Sequence, residues 1–234
     1  MNVYAISDLH LSNSCDKPMD VFGGHWENYT EKIVTNWKNN ITDNDLVLIA
    51  GDISWAMKLD EAKADLEWID RLPGKKIIIK GNHEYWWKSI SAVREILPKS
   101  ILAIQNDALK IGNIIYCGTR GWVVPETGKE FTPEDEKLYK REIERLKLSL
   151  MSAKTMQTSG EKIVAMMHFP PFGSDKLDNE FTKLFEEYGV SKVIFGHIHG
   201  YTNCPLIHEK NGVTYHFTSC DHIQNNPVLI YENV

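Results

Sequence analysis

Paired thiols are missing from this chain. Its four cysteines, Cys15, Cys117, Cys204 and Cys220, are scattered through 234 residues with no C-x-x-C spacing, which disfavours a zinc knuckle or a thioredoxin-type redox site. No apolar run approaches the ~20 residues that a membrane-spanning helix needs. A Lys/Arg run long enough to track a phosphate backbone is also absent: 32 Asp and Glu outnumber 26 Lys and Arg, for a formal net charge of −6. That balance argues against an extended nucleic-acid surface, while local basic residues could still bind one small anion. With no low-complexity linker and no repeat of fixed period, residues 1–234 are expected to form one domain. Residues 1–6 read directly as a strand, without a cationic leader, a long apolar core or a cleavage site. Nothing signals secretion, so the expectation is a cytoplasmic protein with reduced thiols.

What is present is an ordinary soluble composition, 42% hydrophobic and 25% charged, and one recurring unit. In residues 76–80, Ile77, Ile78 and Ile79 are β-branched and lack a helical period, so the run predicts a buried strand. Gly81-Asn82-His83-Glu84 follows it, setting an amide and an imidazole side by side at a strand's carboxyl end, where open α/β sheets place their ligands. The same unit occurs earlier. Residues 3–6 run into Ser7-Asp8-Leu9-His10, in which Asp8 and His10, two apart, address one side. Residues 45–50 form a buried strand ending in Gly51-Asp52. Helices are expected around 31–37, over 59–72 (Leu59, Ala62, Leu66, Ile69 and Leu72 at three- and four-residue intervals) and over 85–97. Strand and helix alternate to this point, which implies a parallel sheet with crossover helices.

Beyond Pro98 the pattern changes. Residues 107–111 and 113–118 predict a hairpin about Gly112-Asn113. Thr132-Pro133 starts a long charged helix to about 157, whose apolar face is Tyr139, Ile143, Leu146 and Leu150. A fourth strand at 162–167 delivers His168, a helix is expected over 176–188, and a fifth strand at 192–195 delivers Gly196-His197-Ile198-His199. Residues 212–217 and 227–231 predict further strands.

Any one of these Asp or His residues, taken alone, reads as a turn former, a helix cap or a satisfied polar group. Together they do not. Asp8, His10, Asp52, Asn82, His83, His168, His197 and His199 each follow a buried strand. Imidazole, carboxylate and amide without thiolate suit Mn²⁺, Fe or Zn²⁺, and the set is too large for one four-coordinate ion, so two metals are the natural reading.

In its ordered blocks Asp-x-His, Gly-Asp, Gly-Asn-His-Glu, His and Gly-His-x-His, the chain resembles the calcineurin-like metallophosphoesterase superfamily from Asp8 to His199. The resemblance implies a four-layer α-β-β-α sandwich, two mixed β-sheets flanked by helices, with a helical insertion at about 130–158. It implies that Asp8, His10 and His199 hold a first divalent metal and Asn82, His168 and His197 a second, with Asp52 bridging. His83 would face the substrate phosphate beside Asn82, as catalyst and not as ligand. The implied activity is hydrolysis of a small phosphate mono- or diester by in-line attack of a metal-bridging hydroxide. One departure is visible: many relatives carry Asp three positions after the bridging residue, where this chain has Trp55. The stretch Asp8-Leu9-His10-Leu11 is similar to the lipid-A-pathway pyrophosphatases of the superfamily, which place Arg where His83 stands. Cyclic nucleotide phosphodiesterases share the Gly-Asn-His block.

Two other readings compete. A non-catalytic scaffold of the same fold should have lost ligands or the phosphate-facing His, and here every position is filled. A nuclease acting on short oligonucleotides is compatible with the acidic balance. Arg120 is a candidate phosphate grip, with a surface ion pair as its alternative. His25 and Trp26 read as loop packing over pocket lining, and Trp86 and Trp87 as core or rim packing over base stacking. His208, His216 and His222 match no ligand position. The 133–157 helix is a cap, an oligomer contact or a solvated face, the last favoured by its charge. Substrate, native metals and oligomeric state stay open.

Overall fold

The computed structural model describes residues 1–200 and 203–234. The predicted alternation holds in the first half: β1 (Val3–Ile6), α1 (Tyr29–Asn40), β2 (Leu46–Ile49), α2 (Leu59–Asp70), β3 (Lys75–Ile78), α3 (Ile90–Ile96) and β4 (Ile101–Ala103). The second half runs β5 (Ala108–Ile111), β6 (Ile114–Thr119), α4 (Pro133–Met156), β7 (Lys162–Met167), α5 (Glu180–Glu187), β8 (Val190–Phe195), β9 (Ile207–Lys210), β10 (Val213–Phe217) and β11 (Val228–Tyr231). They make two sheets, ordered β11-β1-β2-β3-β4 and β5-β6-β7-β8-β10-β9. β1 to β4 are mutually parallel, as are β6, β7, β8 and β10, while β11, β5 and β9 join antiparallel.

The period-two geometry of a strand explains the layering. Val3 and Ala5, Leu46 and Leu48, and Ile77 and Ile79 of the first sheet meet Ile114, Tyr116, Val164, Met166 and Ile194 of the second in one buried layer. Their neighbours point the other way. Tyr4, Ile6, Val47, Ile49 and Ile78 pack under Ile33, Trp37, Leu66, Ile69 and Val93 from α1, α2 and α3. Ile115, Cys117, Ile163, Ala165 and Val193 pack under Leu146, Leu150, Phe181 and Phe185 from α4 and α5. The result is the four-layer α-β-β-α sandwich. Strands apolar on both faces are what two-sided burial demands.

The expected helix over 85–97 is shortened to α3. Ser89 ends the non-helical stretch as N-cap, its hydroxyl accepting from the Ala92 N–H, and the preceding turn buries Trp86 and Trp87. The expected helix over 176–188 likewise begins only at Glu180, where Asn179 caps it. Strands β4 and β9 are not among the expected elements: β4 spans only three residues, with Ile101 and Ala103 buried and Leu102 exposed, and β9 is largely polar and partly exposed. The start of α4 is as expected: Thr132 and Asp135 cap each other reciprocally with Pro133 at the first position. This helix is the crossover between parallel β6 and β7, and its buried side, Tyr139, Ile143, Leu146 and Leu150, covers the second sheet. It is therefore an outer layer and not a cap.

The sheets meet at their carboxyl edge. The Ser7 N–H, just past β1, donates to Thr218 O beyond β10 at 2.9 Å, and the Cys220 N–H returns to Ser7 O at 3.1 Å. One edge of the sandwich thus gathers the ends of β1, β2, β3, β7 and β8.

On α4, Leu146 is fully buried and Leu148 is 55% exposed. Leu146→Ala should cost about 2–5 kcal/mol, and Leu148→Ala within about 0.5 kcal/mol of nothing, as read by urea denaturation of the two variants. Equal costs would contradict the placing of this helix.

Candidate metal centre

At the shared edge the chain turns sharply, and several donors sit on the turns themselves. Asp8, His10, Asp52 and His197 adopt positive φ, at 59°, 43°, 50° and 78°. Non-glycine residues in that region are strained by about 1–3 kcal/mol each and concentrate at functional sites. Close contacts enforce the turns. A Cβ at Gly81 would lie 2.2 Å from Asp52 Oδ1, and one at Gly196 would lie 2.2 Å from Asp8 Oδ2 and from Ser7 Oγ. The glycines of the Gly-Asn-His and Gly-His blocks are therefore required by the approach of a carboxylate.

Asp8 is fully buried. Its Oδ2 accepts from Ser7 Oγ at 2.5 Å, Ser219 Oγ at 2.8 Å and the His197 N–H at 3.0 Å. Burial alone would raise its pKa; the hydrogen bond with His199 and the neighbouring imidazoles of His168, His199 and His10 hold it far below the usual carboxylate range. Asp8 Oδ1 lies 3.4 Å from His199 Nε2, which in turn lies 3.2 Å from His10 Nε2. Asp8, His10 and His199 thus form one cluster with donor atoms within 4.8 Å of one another, and Asp52, His168 and His197 form a second. In the second, His168 Nε2 sits 3.2 Å from Asp52 Oδ2, 3.2 Å from His197 Nδ1 and 2.7 Å from Asn82 Oδ1. Asp52 Oδ2 is also 3.9 Å from His10 Nε2, so it faces both clusters.

The ring orientations are fixed from behind. His168 Nδ1 is 3.0 Å from Ala50 O, which leaves Nε2 free to face the cluster. His199 Nδ1 is 3.1 Å from Asp221 Oδ1. Burial works against protonation of both rings, but the adjacent carboxylates override it and lift His168 to about 9 and His199 to about 10. His10 and His197, where burial prevails, fall to about 4.

His83 belongs to neither cluster. Its N–H donates to Asp52 Oδ1 at 2.8 Å, and its Nε2 lies 3.9 Å from Asp52 Oδ2. Burial pushes its pKa down, with Asp52 opposing. Arg120, just past β6, is joined to the site through its backbone: its carbonyl accepts from the N–H groups of His168 and Phe169, each at 3.0 Å. Its guanidinium packs 4.7 Å from the Trp122 ring and 3.6 Å from Glu142 Oε1. Because Glu142 is wholly buried, that pair is not a surface one. Nε and Nη2 of Arg120 are buried without a hydrogen-bond partner among the described residues.

Three residues escape the motif reading. Glu84 is fully buried and accepts from the N–H groups of Gly81, Asp52 and Ile53 at 2.5, 3.0 and 2.5 Å, tying the turn after β2 to the turn after β3. Its own block names it without giving it a task. Asp221 follows β10 with the same strand-then-polar signature as the recognised blocks, and that signal could have found it. Trp55, where the pattern departs, stacks 4.9 Å from the His10 ring and lies 4.3 Å from His83. Trp26 is buried and edge-on to His10 and His199 at 5.9 and 5.4 Å. Its neighbour His25 has Nε2 3.9 Å from Asp221 Oδ2, as has His222 at 3.7 Å. Trp86 and Trp87 are core residues, and His208 and His216 lie on β9 and β10, outside both clusters.

Comparison with known proteins agrees with this geometry. The family model for calcineurin-like phosphoesterases matches residues 1–201. The uncharacterized protein MJ1445 of Methanocaldococcus jannaschii is 29% identical over 87 residues, 35% of this chain, and the match spans 46% of that relative's length. Among solved structures, phosphopantetheinyl hydrolase (PptH) from Mycobacterium tuberculosis is similar in fold, with TM-score 0.57 and 16% identity over 99% of this chain and 96% of that one. TT1561 of Thermus thermophilus has TM-score 0.60 and 12% identity, covering 97% of each chain. A protein of unknown function from Aquifex aeolicus, AQ665, has TM-score 0.52 and 14% identity over 97% and 95%.

Gly196→Ala should displace the Asp8 carboxylate and destabilise the metal-free protein by about 1–3 kcal/mol, as other overpacked sites do. Gly24→Ala, whose Cβ meets nothing within 4 Å, should stay within about 0.5 kcal/mol of the parent. Thermal unfolding with and without added Mn²⁺ distinguishes them: the metal-induced rise in Tm should shrink only in Gly196→Ala.

Proposed function

This chain belongs to the calcineurin-like phosphoesterase family, and from that premise we propose that it is a dinuclear metal-dependent hydrolase of a small phosphate mono- or diester. The observation that carries the reading is the position of Asp52 Oδ2, 3.2 Å from His168 Nε2 in one donor cluster and 3.9 Å from His10 Nε2 in the other. A carboxylate facing both clusters supports a bridging role. Asp8, His10 and His199 would hold one ion, and Asn82, His168 and His197 the other.

The donors fit such ions. Imidazole nitrogens face each other at 3.2 Å in both clusters, a spacing that calls for a proton or a cation between their lone pairs, and nitrogen and oxygen donors without thiolate suit Mn²⁺, Fe or Zn²⁺. When bound, two divalent ions supply Lewis-acid polarisation of a phosphoryl group and a water of lowered pKa.

The protein's own part is positional and protic. Ala50 O and Asp221 orient His168 and His199 from behind, through Nδ1. Asn82 adds a donor without adding negative charge, which favours an anionic substrate over a fully carboxylate site. His83, tethered by its backbone to Asp52 and 32% exposed in its side chain, would hold a proton at Nε2 for the leaving oxygen or hydrogen-bond its developing charge. Arg120, paired with Glu142 through Nη2 but with Nε left without a hydrogen bond, would grip phosphate oxygens. Among the described residues no helix is long and apolar enough to cross a membrane. Cys117 and Cys220 are buried as free thiols, which supports a cytoplasmic setting.

The test is hydrolysis of p-nitrophenyl phosphate and bis-p-nitrophenyl phosphate by Mn²⁺-loaded protein, with and without chelator. Chelator-sensitive turnover of one or both is expected. His83→Ala should keep its metal and lose about 10²–10⁴-fold in kcat. Loss of metal from His83→Ala by elemental analysis would show that the division between ligand and catalyst is wrong.

A further inference from the structure

The ends of β7 and β8 supply residues both to the donor clusters and to a neighbouring cleft. His168 turns to the second donor cluster, and the next residue, Phe169, lines that cleft. His197 and His199 belong to the two clusters, while Ile198 between them lines that same cleft. The cleft has a volume of about 660 Å³, within the range of small-molecule sites. His197 is part of its wall, so the cleft borders the second donor cluster. The Phe169 ring stands 4.0 Å from the His197 ring and 5.0 Å from Trp122.

The walls are apolar: Val123, Val124, Phe131, Phe169, Phe172 and Ile198. Charges on the rim are largely engaged with one another or with the fold. Lys129 Nζ is 2.8 Å from Glu126 Oε2, and Asp135 accepts from Trp122 Nε1 at 3.0 Å while capping α4. The remaining balance is not cationic, since Glu126, Glu130 and Asp135 outnumber Lys129 and Lys176. Such a cleft gives no advantage to a second phosphate or a polyanion. It does reward apolar surface, and it shares His197 with the second donor cluster.

We propose that this cleft is the specificity site for the organic part of the substrate, and that it takes an alkyl or aryl chain attached to the phosphoryl group. The substrate class is then an apolar phosphoester in preference to a sugar phosphate, a nucleotide or an inorganic polyphosphate. This rests on the phosphoesterase reading for the phosphoryl end only.

Calorimetric titration of Mn²⁺-loaded protein with methyl-, butyl- and octylphosphonate tests it without requiring turnover. Kd should fall at least about tenfold from methyl to butyl, and again to octyl. Val124→Trp, which adds bulk to the cleft wall, should abolish that dependence. Phe131→Ala, which removes a wall, should weaken octylphosphonate selectively. Equal affinity for the three ligands, no binding of any, or a chain dependence that survives both variants would overturn the proposal. Chain-dependent binding with no turnover of any ester would uphold the cleft and contradict the hydrolase reading. Ester turnover with chain-independent binding would do the reverse.

Discussion

The buried carboxylate of Asp8 is where the two halves of the molecule are held together at their working edge. It comes from the end of β1 in the first sheet and accepts from Ser219 and the His197 N–H, both supplied by the second. Charge-assisted bonds of this kind are short and about twice as strong as neutral ones. Gly196 is glycine because this carboxylate comes so close, and the backbone strain at His197 is tolerated because Asp8 fixes its N–H. Glu84 performs the corresponding task within the first sheet, binding four backbone N–H groups from two turns. These two carboxylates determine where the histidines stand.

The electrostatics follow from that construction. Asp8 and Asp52 are taken out of water beside four imidazoles, and their negative potential lifts His168 and His199 well above the ordinary histidine range despite burial. The same potential attracts divalent cations. A centre of this kind with two carboxylates, one amide and otherwise neutral imidazoles keeps a net positive charge once two such ions are bound, which matches it to an anionic group. The apolar cleft beyond Phe169 has the opposite character, and this contrast between neighbouring surfaces is what an organic phosphoester presents.

Much of this is legible in the residues because strand and donor are adjacent in the chain. Val3 to Ile6 before Asp8, Leu46 to Ile49 before Asp52, and Lys162 to Met167 before His168 each combine an apolar run with a polar residue at its end. What is not legible depends on contacts remote in sequence. Nothing local says that Asp221 stands behind His199, 22 positions away, or that Glu84 reaches back to Ile53. Trp55 looks like a departure from pattern; its place against His10 and His83 emerges only when the ends of β1, β2 and β3 are brought together. Periodicity overextends the helix over 85–97 because burial of Trp86 and Trp87 overrides it until Ser89 supplies a cap.

The central claim is that one carboxylate serves two ions. The most direct measurement is metal content by elemental analysis after loading with Mn²⁺ and exhaustive desalting, on the parent chain and on Asp52→Asn. The account predicts about two ions per chain in the parent and fewer than one in the variant, because removing the shared charge weakens both positions together. Two ions retained by Asp52→Asn, or a parent chain that holds only one, would contradict it.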